Sequence, residues 1–230
     1  MPMWRILRCL RWLSAALAVS ACADNANHLQ TTYLDRFATR NPTLAEFTVC
    51  HGFYCTKRSQ ASISEDQWRR VTAVFKPRAK NARVERQQIA RAVALIEAIV
   101  GPQTGTDAHQ WTHQNMLVMP NFGDLTQFDC VDASVNTWTY MTLMEHHGLF
   151  HFHRVAQLSW AGSLTDPDMR NTAVLQEING GYFAIDASLV DVGVPPLIMP
   201  LTTWMSAWPP NPNAIERLDR ADATVSRLRP

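Results

Sequence analysis

The sequence lacks an excess of charge of either sign. Its 230 residues carry 21 basic and 20 acidic side chains, a formal net charge of +1. Nucleic-acid-binding proteins usually present a strongly basic surface, so we expect no nucleic-acid partner. The composition is otherwise that of a globular protein, with 47% hydrophobic and 18% charged residues. The length indicates one main domain.

The sequence also lacks a hydrophobic run long enough to span a bilayer as a mature helix. Near the N-terminus, arginines precede a short apolar run over residues 13–19. This arrangement is typical of a secretory signal, here residues 1–21. We therefore expect an exported protein.

The end of this signal carries a short motif. It reads Val19-Ser20-Ala21-Cys22, which resembles the lipobox of bacterial lipoproteins. The resemblance implies acylation of Cys22 and a membrane tether over residues 22–43; the alternative is a soluble exported protein cleaved nearby. No aspartate directly follows Cys22, and in such lipoproteins this pattern favours the outer membrane, facing the periplasm.

Cysteine is scarce, and its five occurrences have different expected fates. Cys9 leaves with the signal, and Cys22 carries the lipid. Cys50 and Cys55 flank a four-residue segment among strand-favouring neighbours. In an oxidising compartment this pattern predicts a disulfide across a tight hairpin. Two free thiols or a metal-binding pair are the alternatives, although no second pair completes a metal site. Cys130 is left over, either as a reactive thiol or as a small buried side chain.

Two helices are predicted before this leftover cysteine. The first begins after Ser64, a good N-cap, and ends at Pro77. The second covers residues 84–100, whose apolar side chains recur three and four positions apart, and Gly101-Pro102 should stop it. A long irregular segment follows over residues 103–128, which is usual for functional loops.

Cys130 stands at the start of a third predicted helix. Asp129 is typical of an N-cap, and Asp132 resembles its capping-box partner. Gly148 lies where a C-terminal glycine is expected. Exposed amides and the helix dipole at such a start stabilise an anion and lower the pKa of a thiol. The position therefore favours a reactive Cys130.

Three antiparallel strands are predicted next, over residues 149–160, 172–178 and 182–186, with a Gly-Gly turn between the last two. Helix and strand rises bring Cys130, residues 170–172 and Asp186 together at one end. His151 and His153 should lie about 20 Å away at the opposite end. We interpret them as surface residues and expect no metal, because no carboxylate or cysteine pattern completes a site. We also expect no cofactor.

This order of elements resembles the transglutaminase-like, papain-like cysteine peptidase superfamily, and within it the bacterial transglutaminase-like group. The sequences DCVD at 129–132 and NTAVLQEINGGYFAID at 171–186 carry the resemblance. It implies an α+β fold with a papain/transglutaminase-like core, in which the cysteine helix packs on an antiparallel sheet of three or more strands. It also implies Cys130 as the nucleophile and Asp186 as the residue that orients the base.

The resemblance covers residues 84–208, which we take as the transglutaminase-like domain. Residues 44–83 then hold the disulfide hairpin and a helix, and residues 209–230 form a C-terminal tail. Trp204 and Trp208 are expected to pack in the core or to cover the sheet.

The sequence departs from the family at the base. Family members have a histidine at the start of the second strand, where this chain has Arg170, Asn171 and Thr172. None of these is a general base at neutral pH. His113, or His109, could reach the site from the long loop. Alternatively, a permanently cationic Arg170 beside the thiol would depress its pKa without supporting turnover.

Two functions stay open from the sequence. One is a lipid-anchored hydrolase or acyltransferase that acts on amide or peptide bonds. The other is an inactive pseudoenzyme that binds a peptide or an envelope protein in the periplasm. Gln127 and Gln114 could serve as oxyanion donors or make ordinary loop hydrogen bonds. The expected catalytic residues are Cys130, Asp186 and His113, and the expected cleft residues are Asp132, Arg170, Asn171, Thr172 and Gln127.

Overall fold

A computed structural model describes residues 29–109, 124–162, 169–206 and 215–216. The fold is α+β with antiparallel sheets, as predicted. None of the described helices is both long and apolar enough to cross a membrane. The elements in chain order are β1 (Leu29–Gln30), α1 (Thr32–Phe37), β2 (Phe47–His51), β3 (Lys57–Ala61), α2 (Glu65–Ala73), α3 (Ala82–Thr104), α4 (Cys130–His146), β4 (His153–Val155), β5 (Leu158–Ala161), β6 (Arg170–Glu177), β7 (Tyr182–Asp186), β8 (Leu197–Pro200) and α5 (Leu201–Ser206).

The main sheet has six strands in the order β1-β5-β6-β7-β8, with β4 also pairing with β6. β6 and β7 form the predicted hairpin, with Ala173 opposite Ile185. The single strand predicted over residues 149–160 is instead two short strands. It breaks at Ala156, whose carbonyl accepts the Trp138 indole N–H at 3.0 Å. β1 and β8, which we did not predict, complete the two edges.

The two faces of this sheet belong to separate cores. Ala173, Leu175 and Ile185 join the larger core, which also contains α3 and α4. Val174 and Ala184 alternate with them and face a smaller core around Trp204. Successive strand residues point to opposite faces, so this division decides which side of the sheet each side chain near Cys130 occupies. Trp204 is fully buried, as predicted, whereas Trp208 lies outside the described residues.

Helix α3 continues past the stop predicted at Gly101-Pro102 and ends at Gly105, whose φ of 72° is left-handed. Pro102 lies in the last turn of this helix, and only two residues follow it before the helix ends. Gly101 instead allows the backbone of Asp107 to pack closely against the helix, because a Cβ at position 101 would lie 3.0 Å from the Asp107 Cα. The predicted stop was therefore wrong by one turn.

β2 and β3 form a separate two-stranded sheet, closed by the predicted disulfide between Cys50 and Cys55. α4 packs against β2 on one side and β6 on the other. The cysteine helix is therefore held between the hairpin and the main sheet.

The histidines at the far end of the domain differ from the prediction. His151 is exposed and lies 2.7 Å from the Arg78 guanidinium. His153 is fully buried, so its assignment as a surface residue was wrong. Its Nδ1 lies 2.9 Å from the Glu85 carboxylate, and its Nε2 lies 3.3 Å from the buried guanidinium of Arg86. Burial of the charged Glu85 and Arg86 side chains is tolerated because each has polar partners.

Candidate functional site

Cys130 is the first residue of α4, as predicted, and a reciprocal capping box precedes it. The Asp129 carboxylate accepts the Asp132 N–H at 2.9 Å, and the Asp132 carboxylate accepts the Asp129 N–H at 3.2 Å. Such a box satisfies amides that the first helical turn leaves unpaired. The cysteine is therefore fixed in position by its two acidic neighbours.

These two carboxylates also bind the turn of the disulfide hairpin. Asp132 accepts the N–H groups of Phe53 at 2.9 Å and Cys55 at 2.6 Å. Asp129 accepts the Tyr54 N–H at 2.9 Å. Asp132 is completely buried in this arrangement. It was expected to line the cleft, but its carboxylate faces the hairpin.

One turn further along α4, Asn136 continues the same contact. Its side-chain oxygen accepts the Cys50 N–H at 2.7 Å, and its amide donates to the Cys50 carbonyl at 2.8 Å. Asp129, Asp132 and Asn136 are spaced three and four residues apart, so they share one face of the helix. This face docks the helix start on the disulfide hairpin.

The hairpin turn has an unusual backbone. Gly52, Phe53, Tyr54 and Cys55 all have left-handed φ values, of 77°, 65°, 54° and 53°. A left-handed residue other than glycine costs about 1–2 kcal/mol, and three of these four carry a side chain. Hydrogen bonds to the carboxyl groups of Asp129 and Asp132 offset this cost, and the disulfide constrains the ends of the turn. The turn and the start of α4 therefore stabilise each other.

Asn171 is the residue of β6 that faces the thiol. Its Nδ2 lies 3.6 Å from the Cys130 sulfur and donates to it. Asn171 reaches α4 because it alternates with Ala173 and Leu175, which face the same core. Of the three candidates for the histidine position, it is the one next to the sulfur. Its amide nitrogen is a donor and cannot act as a base.

Arg170 and Thr172 alternate onto the opposite face of β6. The Arg170 guanidinium lies over the Trp204 ring, 4.8 Å from its centre, and donates to the Trp204 carbonyl at 2.5 Å. Its positive charge acts on Asp186, whose pKa it lowers in opposition to burial. Thr172 is buried. The expected pairing of Arg170 with the thiol is therefore replaced by packing against Trp204.

Asp186 ends β7, as predicted, and is buried. Its carboxylate accepts the Trp204 indole N–H at 2.7 Å and the Ser188 hydroxyl at 2.7 Å. Burial raises its pKa, and these hydrogen bonds oppose the shift. Its charge still reaches Cys130 and contributes to the pKa of that thiol. The Asp186 carboxyl group and the Cys130 thiol are neighbours, but the described hydrogen bonds of Asp186 are with Ser188 and Trp204.

The electrostatics of the thiol are the reverse of our expectation. Burial and the charge of Asp129 raise the pKa of Cys130 to about 12, while the hydrogen bond from Asn171 opposes the shift. The helix dipole and Arg170 were expected to lower it. Burial of the thiol is the larger cause of the difference, and the capping carboxylate of Asp129 adds to it, whereas the arginine packs elsewhere. At neutral pH the thiol is therefore protonated.

The long loop supplies one described histidine, His109, which is buried. Its Nδ1 lies 2.8 Å from the Gln127 side-chain oxygen, to which a protonated Nδ1 donates, and 3.1 Å from the Phe128 backbone nitrogen. Burial lowers the pKa of His109. Gln127 thus makes an ordinary loop hydrogen bond. His113 and Gln114 lie outside the described residues.

Sequence reasoning missed Tyr33, which we had placed in the tether. β1 pairs with β5, and α1 packs against α4, so residues 29–37 belong to the folded part. Burial is the main cause that raises the pKa of Tyr33, and its neighbours Tyr54, Cys130 and Asp129 contribute, which places Tyr33 near the thiol. Its ring also meets that of Tyr54 edge-on at 5.6 Å. The Tyr33 and Phe37 pair at i and i+4 was the available signal.

One group of residues in the described part of the chain has metal-ligand spacing. The Cys50 and Cys55 sulfurs and an Asp132 carboxylate oxygen lie within 4.8 Å of one another. The two sulfurs are joined in the disulfide, and metals bind thiolates. The group therefore offers no thiolate ligand in this form.

Comparisons of the sequence with protein-family models, with curated proteins and with solved structures found no match.

Proposed function

We propose that this protein is a lipid-anchored periplasmic binding or assembly module, built on a transglutaminase-like core that has lost its catalytic base. The observation that carries the proposal is the contact between Asn171 and Cys130, with Nδ2 3.6 Å from the sulfur. The sequence resemblance implies a histidine at this position. On that resemblance, the Asn171 amide takes the place of the histidine, and it donates to the sulfur.

The chemistry of this pair argues against turnover. A cysteine nucleophile needs a base that takes its proton and later returns it to the leaving amine. An asparagine amide does neither, and loss of general acid–base catalysis costs roughly 100-fold or more. The raised pKa of Cys130, to about 12, adds to this loss because it leaves little thiolate at neutral pH. The Asn171–Cys130 pair is therefore poorly equipped for acyl transfer.

A cysteine-dependent amide hydrolase or acyltransferase is the second candidate. It is favoured by the unpaired thiol of Cys130 at the start of α4 and by the charge of Asp186 within its reach. In that case His113, outside the described residues, would be the base.

Hydrolysis of a panel of fluorogenic peptide amides separates the two candidates. The wild-type protein should show no turnover above that of Cys130→Ala, because neither has an activated thiolate. Turnover that Cys130→Ala abolishes would reject the binding module, and its loss in His113→Ala would identify the base. Asn171→Ala is the matched control for Asn171→His, which tests whether an imidazole restores any hydrolysis.

The membrane anchor is the second part of the proposal. Acylation of Cys22 would hold the domain at the periplasmic face of the outer membrane, where a peptide or an envelope protein is the expected partner. One acyl chain anchors weakly and several anchor firmly. Mass spectrometry of the mature protein should find an acylated N-terminal cysteine. An intact segment 1–21, or cleavage elsewhere, would contradict it.

A further inference from the structure

The exposed hydrophobic side chains are concentrated at one end of the domain. We call this end, where α4 and β6 both begin, the Cys130 end. Six large hydrophobic side chains in the described part of the chain are at least 38% exposed. One of them, Ile178, lies at the opposite end, in the turn between β6 and β7. The other five lie at the Cys130 end: Tyr54, Leu125, Trp160, Met169 and Val194.

Trp160 and Met169 stand beside the part of the sheet that faces the thiol. Trp160 is paired with Asn171 across β5 and β6. Side chains of paired residues lie on the same face of a sheet, and on this face the Asn171 amide donates to Cys130. Met169 directly precedes β6. The two side chains are 40% and 41% exposed, so both project into solvent next to the site.

The other three side chains reach the Cys130 end from separate loops. The Tyr54 N–H donates to the N-cap carboxylate of α4 at 2.9 Å. Leu125 lies against the same hairpin turn, since a Cβ at Gly52 would be 3.2 Å from its Cδ2. Val194 lies in the connection between β7 and β8, which leaves and re-enters the sheet at the end that carries Asp186.

The chain also enters the described fold at the Cys130 end. Leu29, the first residue of β1, pairs with Ser159, which pairs in turn with Thr172 near the start of β6. Seven residue steps, from Cys22 to Leu29, give a reach of at most about 25 Å. A lipid on Cys22 would therefore hold this end of the domain close to the bilayer.

We propose that the Cys130 end docks on the membrane surface, with the five apolar side chains in the lipid headgroup region and the thiol facing the bilayer. The orientation rests on the lipid anchor of the proposed function. It names a lipid surface, in addition to any peptide or protein partner, as something that this end contacts.

A lipid surface fits the five side chains better than a bound peptide does, because they do not follow a single groove. β5 and β8 are three strand spacings apart in the sheet, about 14 Å. The hairpin turn lies on the other side of α4. A flat surface contacts protruding side chains on all sides of the site at once. Tryptophan and tyrosine also favour the membrane–water interface, where one end of the ring is apolar and the other is hydrated.

The test anchors the protein chemically, so that it does not depend on acylation in the cell. The mature chain with Cys130→Ser is coupled through Cys22 to a maleimide phospholipid in vesicles of phosphatidylethanolamine and phosphatidylglycerol. Hydroxyl radicals oxidise exposed side chains, and peptide mass spectrometry measures each rate. Trp68, which lies beside the C-terminal end of α4, is the internal reference. Relative to Trp68, oxidation of Trp160 and Met169 should fall at least about threefold compared with the free chain in buffer.

Two matched variants distinguish docking from mere proximity to the bilayer. A carboxylate is costly at a position that contacts lipid, so Trp160→Glu should restore oxidation of Met169 to within about twofold of the free chain. Ile178→Glu, at a similarly exposed position at the opposite end, should leave Met169 protected. Circular dichroism checks that each variant is folded, and Val194→Glu replaces Trp160→Glu if the latter does not fold.

Unchanged oxidation of Trp160 and Met169 on the vesicles would overturn the proposal and leave this end to a protein partner. Protection of Met169 that survives Trp160→Glu would also overturn it, because the tether alone would then account for the protection. A cellular protein without acylated Cys22 would reject the proposed anchor, whereas the vesicle measurements would still decide whether this end docks on lipid.

Discussion

Cys130 should react with iodoacetamide far more slowly than an ordinary cysteine when the disulfide is intact. Its pKa is raised to about 12. At pH 8, roughly one such thiol in 10,000 is ionised, compared with about one in four for a free thiol of pKa near 8.5. Since the thiolate is the reacting species, the expected difference in rate is roughly 2,000-fold. The rate should also rise about tenfold per pH unit between pH 8 and pH 11.

Two substitutions test the causes of this shift separately. Asp129→Asn keeps a residue that caps helices well but removes the charge that raises the pKa of Cys130, so the midpoint of the labelling profile should fall. Asn171→Ala removes the hydrogen bond that opposes the shift, so the midpoint should rise. The midpoint is the decisive quantity because a change in access alters the rate at every pH.

The assay uses peptide-resolved mass spectrometry, with the urea-denatured protein as the reference for an unhindered thiol. A midpoint below that of the denatured protein would refute the reasoning. It would mean that the helix dipole outweighs burial and the Asp129 charge, as the sequence led us to expect, and it would favour the catalytic candidate.

Two further predictions concern buried carboxyl groups. Burial raises the pKa of Glu97 to about 8. Below the unfolded pKa near 4.5, this side chain is neutral in both states and costs no stability. As the pH rises from there to about 8, the folded state loses stability because only the unfolded state ionises. Glu97→Gln should stabilise the protein by roughly 3 kcal/mol at pH 7. Urea unfolding should show this difference in stability vanishing near pH 4. The control Glu46→Gln, at an exposed position, should follow the wild type at every pH. A stabilisation by Glu97→Gln that persists at low pH would contradict the prediction. Asp132→Ala leaves three amides without their acceptor and should destabilise by about 3 kcal/mol or more; a change below 1 kcal/mol in the same assay would argue against the anchoring role of Asp132.

The parts of the fold that were predicted correctly rest on local signals. The capping box at Asp129 and Asp132, the disulfide between Cys50 and Cys55, and the hairpin between β6 and β7 each depend on residues close in sequence. The approach of Cys130 and residues 170–172 followed from the lengths of one helix and three strands. These features need no knowledge of side-chain packing.

The features that were missed depend on distant partners. His153 was expected at the surface, but its partner Glu85 stands 68 positions earlier in the chain. β1 is too short to give a clear periodic signal, and its position comes from pairing with β5. A short helix was expected at the end of the tether, but its packing on α4 was not. No local pattern links Trp204 to Asp186, which it contacts from a separate helix.

The sequence could not decide which of residues 170–172 faces the thiol. A strand with one buried face alternates apolar and polar residues, and this alternation fixes its register. The first six residues of β6 are all buried, because the sheet has a core on each side. Polar residues at positions 170–172 therefore gave no indication of their face.

The same two-sided burial changes how the aspartate at the end of β7 is interpreted. In the sequence, Asp186 resembles the residue that orients a catalytic base. In the structure it is the polar centre of the smaller core, where it accepts the Trp204 indole N–H and where the Arg170 charge opposes the effect of burial on its pKa. A buried carboxylate needs such partners whether or not it acts in catalysis. The presence of Asp186 is therefore weak evidence for activity, whereas the Asn171 amide against the Cys130 sulfur is direct evidence about the chemistry that the site can perform.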